Sequence, residues 1–172
     1  MMFSRFTQKS HYLQIQAADV LCCLPLDRVH KIFSLMALTP VLGSPGYLAG
    51  VFNFHGNIVP VLDLSLRLGQ PATENYSSNT CVIVCHTFEN DAYLGLIVST
   101  VGSIIELSRD ELQLAPQFAG RTSPFSAVHQ QQTNVCFVLN TDALLNSSLT
   151  QLYSLSPEEI NQMIKTEFTF NE

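Results

Sequence analysis

Charge is the scarcest feature of this chain. Only 13% of its 172 residues are Asp, Glu, Lys or Arg, against about 25% in an ordinary globular protein. The eight Lys and Arg stand singly and are outnumbered by fourteen acidic residues, for a net charge of −6. No basic stripe is available to displace counterions from a phosphate backbone, which argues against nucleic acid as a partner. Long apolar runs are missing too. None approaches the roughly 18 residues of a bilayer-spanning helix, and Met1–Ser10 lacks the apolar middle of a signal peptide. The expectation is a cytoplasmic protein with no direct membrane insertion.

Catalytic patterns are also lacking. The chain has five His and many Ser and Asp, but no G-x-S-x-G or comparable motif places them as a triad. Gly43, Gly46 and Gly50 do not make a G-x-G-x-x-G phosphate loop. No catalytic or cofactor-binding residue is assigned, and the chain reads as a protein that is not an enzyme. The five Cys are odd in number and sit inside apolar runs, as buried free thiols do in a reducing compartment. Cys81-x3-Cys85-His86 invites a zinc reading. On a strand, however, those sulfurs lie about 13 Å apart at roughly 3.3 Å per residue. One Zn²⁺ needs both within about 4.6 Å, at about 2.3 Å per Zn–S bond. Cys22 and Cys23 are neighbours in a strand and point to opposite faces, so they make no redox pair. Cys136 alternates inward with Val138. All of these read as inert core residues, with no metal.

What the chain has instead is apolar and uncharged polar character. It is 47% hydrophobic, so the surface carries uncharged polar and apolar residues, which favours a protein that meets other proteins, though a large β core also raises the apolar count. A single domain of this length buries roughly 70% of its unfolded surface. The most informative stretch is Gly50–Gly69. Two apolar runs, Val51–Phe54 and Ile58–Leu62, flank His55-Gly56-Asn57, a Gly-containing connection suited to a β-hairpin. Pro60 lacks an N–H and suits an edge, or a position whose donor side faces away from the ladder. Asp63 reads as the N-cap of a helical turn over Leu64–Leu68, ended by Gly69. Upstream, Ser44-Pro45-Gly46-Tyr47-Leu48 reads as another capped helical turn.

The rest of the chain predicts short strands. His11–Leu26 makes two, joined at Ala17-Ala18-Asp19, with Leu13 and Ile15 alternating against Gln14 and Gln16. Gly69–Asn79 is polar and reads as a linker. Thr80–Cys85, Tyr93–Val98, Val101–Leu107 and Asn134–Leu139 read as further strands, with a turn at Glu89-Asn90-Asp91. Ser108-Arg109-Asp110-Glu111 is a capping box for one helical turn before Pro116. A short helix is expected around Asp142–Leu145. Gly120–Gln132 is polar, rich in glutamine and not assigned. Phe52 and Phe54 share one strand face; with this acidic balance they read as core rather than as a stacking platform for bases.

The order of elements around the hairpin resembles the hallmark of the CheW-like domain family. Leu48, Gly50, Val51, Asn53, Gly56, Ile58, Pro60, Val61, Asp63 and Leu64 fit its pattern in fixed order over about twenty residues. His55 stands where the family usually has Arg, Lys31 where it has Glu, and Ser99 where Asp is common. The likeness runs over about residues 11–147, leaving 148–172 as an extension. It implies a mainly β fold of two intertwined five-stranded β-barrel lobes, one SH3-like and one OB-like, with a core between them. It also implies an adaptor coupling the cytoplasmic tips of chemoreceptors to the regulatory domain of a CheA-type histidine kinase, drawn to the membrane through receptor arrays. Alternative readings are a coupling protein for type IV pili or another output, and an OB-like ligand- or nucleic-acid-binding barrel.

The candidate interaction residues follow from that resemblance: Val29, Lys31, Gly50, Asn53, His55, Gly56, Asn57, Cys81, Ile83 and Ser99. Gly50 and Gly56 also have a structural reading as turn or close-approach positions. Val29, Cys81 and Ile83 are either core or an exposed apolar stripe. Lys31 and His55 replace oppositely charged family residues able to pair. That change is either drift on a solvated surface or a docking pair given up, since His cannot reproduce the bidentate contacts of Arg. In the extension, Ser156-Pro157-Glu158-Glu159 is a helix start, and Ile160, Met163, Ile164 and Phe168 recur at helical spacing. A helix over about 157–167 is expected to dock on the body of the chain, on a partner or on a second copy.

Overall fold

A computed structural model describes residues 8–73, 76–87, 91–114 and 123–144. The expected C-terminal helix, Leu145, Pro116 and the Glu89-Asn90 part of the turn lie outside them. Among the described residues ten strands follow one another: β1 (Lys9–Ala17), β2 (Val20–Pro25), β3 (Val29–Ser34), β4 (Leu48–Phe54), β5 (Asn57–Asp63), β6 (Cys81–Thr87), β7 (Ala92–Val98), β8 (Thr100–Ser108), β9 (Phe125–Gln131) and β10 (Asn134–Leu139). Two one-turn helices, α1 (Leu64–Arg67) and α2 (Thr141–Leu144), and 3₁₀ turns at Leu26–Arg28 and Arg109–Glu111 complete the set. Among the described residues no helix is long and apolar enough to cross a membrane.

The strands form two five-stranded sheets. The first runs β8-β1-β2-β10-β9 and the second β3-β6-β7-β5-β4. The chain enters the first sheet, leaves it to build the whole of the second, and returns, which intertwines the lobes. Each sheet has one parallel join, β2 with β10 and β5 with β7. The expected barrels are a little more open than that word suggests. Among the described residues neither hydrogen-bonded ladder closes, but an isolated bridge ties the edges of each sheet. Thr39, beyond β3, exchanges two backbone hydrogen bonds of 2.8 Å with Val51 of β4. Gln113, beyond β8, exchanges bonds of 2.8 and 2.9 Å with Val128 of β9.

Period-two alternation decides where each face goes. Leu13, Ile15 and Ala17 of β1 join Cys22, Leu24, Leu62, Ile83, Cys85, Leu94 and Leu96 in the main core between the sheets. Tyr12, Cys23, Leu107, Ala127, Cys136 and Val138 form a small core inside the first lobe, and Val61, Val82 and Ile97 one inside the second. A polar junction fixes the lobes to each other. Arg28, between them, reaches Asp142 of α2 at 3.3 Å, half-buried. Arg67 of α1 donates to the carbonyl oxygens of Leu144 (2.7 Å) and Ala143 (3.0 Å), satisfying acceptors that a helix end leaves open.

Two expectations are corrected, and one unassigned stretch gains a strand. Cys23 and Cys136 are not free thiols but a disulfide, with Cα atoms 6.1 Å apart. The parallel register pairs Cys22 with Phe137 and Cys23 with Val138, so Cys136 falls on the same face as Cys23 one strand away, at bridging distance. Cys22, Cys81 and Cys85 remain free. Ser44–Leu48 is a β-turn rather than a helical turn. Leu48 N–H donates to the Pro45 carbonyl at 2.9 Å, the Ser44 hydroxyl turns back to Val41 O, and Leu48 already pairs with Leu62 in the sheet. Phe125–Gln131, inside the stretch left unassigned, is strand β9.

Candidate functional site

The β4–β5 hairpin ends in a two-residue turn with both central residues at positive φ, His55 at 50° and Gly56 at 87°. This is the twist-matched geometry that two-residue hairpins favour. Histidine is among the residues enriched at positive φ, which gives His55 a local reason to stand there. Asn53 pins the turn from below, its Oδ1 accepting the Gly56 N–H at 2.8 Å. Asn53, His55, Gly56 and Asn57 are all exposed. Gly50 belongs to the other end of the strand. It is buried at φ +152°, and a Cβ there would stand 2.7 Å from the Thr39 oxygen. Its role is to let the Thr39 bridge approach β4.

Behind the tip lies an aromatic cluster centred on Phe54. Its ring stands 4.5 Å from His55, 5.5 Å from Tyr93, 5.6 Å from His30, 5.8 Å from Phe33 and 6.2 Å from Phe52, mostly edge-to-face as ring quadrupoles prefer. His86 packs on Tyr93 at 5.5 Å and meets Asp91 at 2.9 Å. A register shift between Val29 and Lys31 makes His30 the extra residue of β3, and its ring turns onto Phe54 and Tyr93. The Lys31 ammonium sits 4.9 Å above the Phe33 ring, a cation–π contact. Lys31 and His55 therefore do not pair directly; they bracket one continuous run of rings, Phe33 to Phe54.

The other sequence-derived residues lie elsewhere. Ile83 is wholly buried in the main core, with half-buried Val29 and Cys81 packed against that core. These three belong to the inter-lobe face of the second sheet, opposite the aromatic face. Ser99 is exposed at the crossover into β8. Its N–H donates to Gln16 O at 2.8 Å and its Oγ accepts the Ala18 N–H at 3.1 Å, holding the β1–β2 turn. Burial pushes the Cys85 thiol up to about 12, so it stays protonated. Among the described residues no group of three or more His, Cys, Asp or Glu is arranged to hold a metal.

Four residues of this face escaped sequence reasoning: His30, Phe33, Tyr93 and His86. A signal existed for two of them, since Phe33 and Tyr93 are aromatic residues at strand positions. Only the pairing of β3 with β6 and β6 with β7 brings them to Phe54.

Buried Asp63 organises the base of the hairpin. Its carboxylate caps α1 by accepting Leu66 N–H at 3.2 Å, and it takes bonds from Thr73 N–H (3.1 Å), Thr73 Oγ1 (3.3 Å) and the Tyr76 hydroxyl. Thr73 and Tyr76, in the polar stretch beyond Gly69, are thus tied to β5.

Two small interlocked β lobes, one presenting a rigid exposed turn over a half-buried aromatic face, define a protein of the two-lobe SH3-like and OB-like kind. Residues 11–149 match the model of the CheW-like domain, and the chain belongs to that family. It is 30% identical over 92 residues to the chemotaxis protein CheW of Klebsiella aerogenes, a match covering 54% of each chain, so about half the length of that relative is spanned. It is 26% identical over 130 residues to CheW of Bacillus subtilis, covering 74% of this chain and 81% of the relative. The fold is similar to the crystal structure of the scaffolding protein TtCheW from Thermoanaerobacter tengcongensis, with a TM-score of 0.69 at 20% identity over 80% of this chain and 92% of that one.

Proposed function

We propose that this chain is a non-catalytic chemotaxis scaffold that couples the cytoplasmic tips of chemoreceptors to a CheA-type histidine kinase. The kinase is met through its own CheW-like regulatory domain. The observation that carries this reading is the second lobe's tip, where an exposed, Asn53-pinned turn stands over buried Phe54 and half-buried Phe33, bracketed by Lys31 and His55. A rigid turn costs little ordering entropy on binding, and aromatic anchors with polar rims are what protein interfaces use. The relatives' names, chemotaxis protein and scaffolding protein, support the same reading.

In this reading Lys31 and His55 tune docking together through the rings between them. The test is a double-mutant cycle on binding of the kinase regulatory domain. His55→Arg should strengthen binding, more so with Lys31→Glu added, and the two effects should be coupled. Effects that add to within about 0.5 kcal/mol would show the two positions to be independent.

A further inference from the structure

The join of β10 to β2 has the shortest register in the first sheet, and a cysteine pair sits on it. The antiparallel partners of this sheet share registers of six or seven positions, β1 with β2, β1 with β8 and β9 with β10. The parallel join of β10 to β2 has two, Phe137 with Cys22 and Val138 with Cys23. Cys23 and Cys136 cross that join inside a small core of six buried residues, themselves included. Both are fully buried. Both redox states suit the site, since two free thiols pack as small apolar groups without stranding a polar atom. Pairing is also unambiguous. Cys22, next in sequence to Cys23, faces the main core on the other side of the sheet, and burial pushes its thiol up to about 12.

We propose that Cys23 and Cys136 are a reversible thiol–disulfide site that latches the β9–β10 hairpin to β2. The oxidant is a small-molecule disulfide of the glutathione class. One cysteine thiolate attacks a sulfur of that disulfide, and one small thiolate leaves as a mixed disulfide forms on the protein. The second cysteine thiolate attacks the protein-side sulfur, the Cys23–Cys136 bond forms, and the second small thiolate leaves. The two electrons from the cysteines reduce the small disulfide, and their two protons end on the two released thiols. Because both sulfurs are buried, exchange proceeds through opening of the hairpin. β10 runs directly into α2, whose Asp142 meets Arg28 and whose end carbonyls meet Arg67, so the latch also steadies the junction between the lobes.

The test equilibrates the full chain in glutathione buffers of graded reduced-to-oxidised ratio. Samples are acid-quenched and alkylated, then read by peptide mapping without reduction and by native amide exchange. In oxidising buffer the Cys23–Cys136 link should be present, with Cys22, Cys81 and Cys85 alkylated; in reducing buffer all five should be alkylated. Reduction should speed amide exchange in β9 and β10 by about tenfold or more while leaving β4–β5 unchanged. Cys136→Ala should show the fast β9–β10 rate in both buffers while keeping β4–β5 protected. Five free thiols in every buffer would overturn the proposal. So would a link that survives full reducing conditions, or β9–β10 exchange that ignores the redox state.

Discussion

Replacing Asp63 by Ala is the sharpest test of how the hairpin is held. The carboxylate is 1% exposed and serves the Leu66 and Thr73 N–H groups, the Thr73 hydroxyl and the Tyr76 hydroxyl. Removing it deletes an N-cap, which costs about 1 kcal/mol. It also strands the half-buried Thr73 N–H at about 1–3 kcal/mol. Tyr76 is 44% exposed and recovers water, so its bond adds little. The sum is a loss of about 2–4 kcal/mol, a large share of a typical domain stability of about 5–15 kcal/mol. For a chain of this size that lowers Tm by about 4–16 °C. Thermal and urea melts followed by circular dichroism measure it. A second readout comes from Tyr76, whose phenol is raised by burial first and then by its bond to Asp63 and the carboxylate charge. In the variant its spectrophotometric titration should move down toward the ordinary tyrosine value. A loss under about 1 kcal/mol, with the phenol unmoved, would refute the argument that Asp63 ties the 69–79 stretch to β5.

Gly50→Ala should cost about 2–4 kcal/mol in urea unfolding, because strained φ and the Thr39 oxygen both oppose a Cβ. Gly56→Ala, where a Cβ meets open space, should cost only about 1–2 kcal/mol of backbone strain; equal losses at the two sites would contradict the close-approach reading. Glu111 is held below the usual carboxylate range first by the Ser108 N–H and then by the Ser108 hydroxyl. Its contribution is therefore fully present above the ordinary glutamate value of about 4.3 and is lost as pH falls through the lower folded value. The Tm gap between wild type and Glu111→Gln should accordingly close in acid, and a gap that stays constant would count against the capping box. Burial pushes the Cys22 and Cys85 thiols up to about 12, so iodoacetamide near neutral pH should modify half-buried Cys81 first. Equal rates at all three would contradict the buried-thiol assignment.

Local chemistry was legible in the sequence and long-range placement was not. Gly56 and Asp63 announce the hairpin turn and the α1 cap because both act within three residues of themselves. Ser108 and Glu111 announce the turn after β8 in the same way. Phe125–Gln131 did not announce β9, since after Ala127 its alternation dissolves into His129, Gln130 and Gln131. The Cys23–Cys136 bond crosses 113 residues through a parallel join, and spacing along the chain carries no trace of it. The candidate interaction residues show the same limit. Val29, Lys31, Cys81 and Ile83 lie on two neighbouring strands, yet the register places Lys31 on the aromatic face and the other three on the inter-lobe face. The cluster around Phe54 is drawn from β3, β4, β6 and β7, so only the folded sheet assembles it.

The central claim, that this chain couples receptor to kinase, is tested most directly by reconstituting receptor, CheA-type kinase and this protein and following kinase autophosphorylation. The account predicts receptor-dependent activity that rises when the protein is added. It also predicts that His55→Glu, which alters an exposed turn residue outside the three buried clusters, lowers that activity while Tm stays within about 2 °C of wild type. Kinase activity that is the same with and without the protein, at concentrations where all three components are folded, would contradict it.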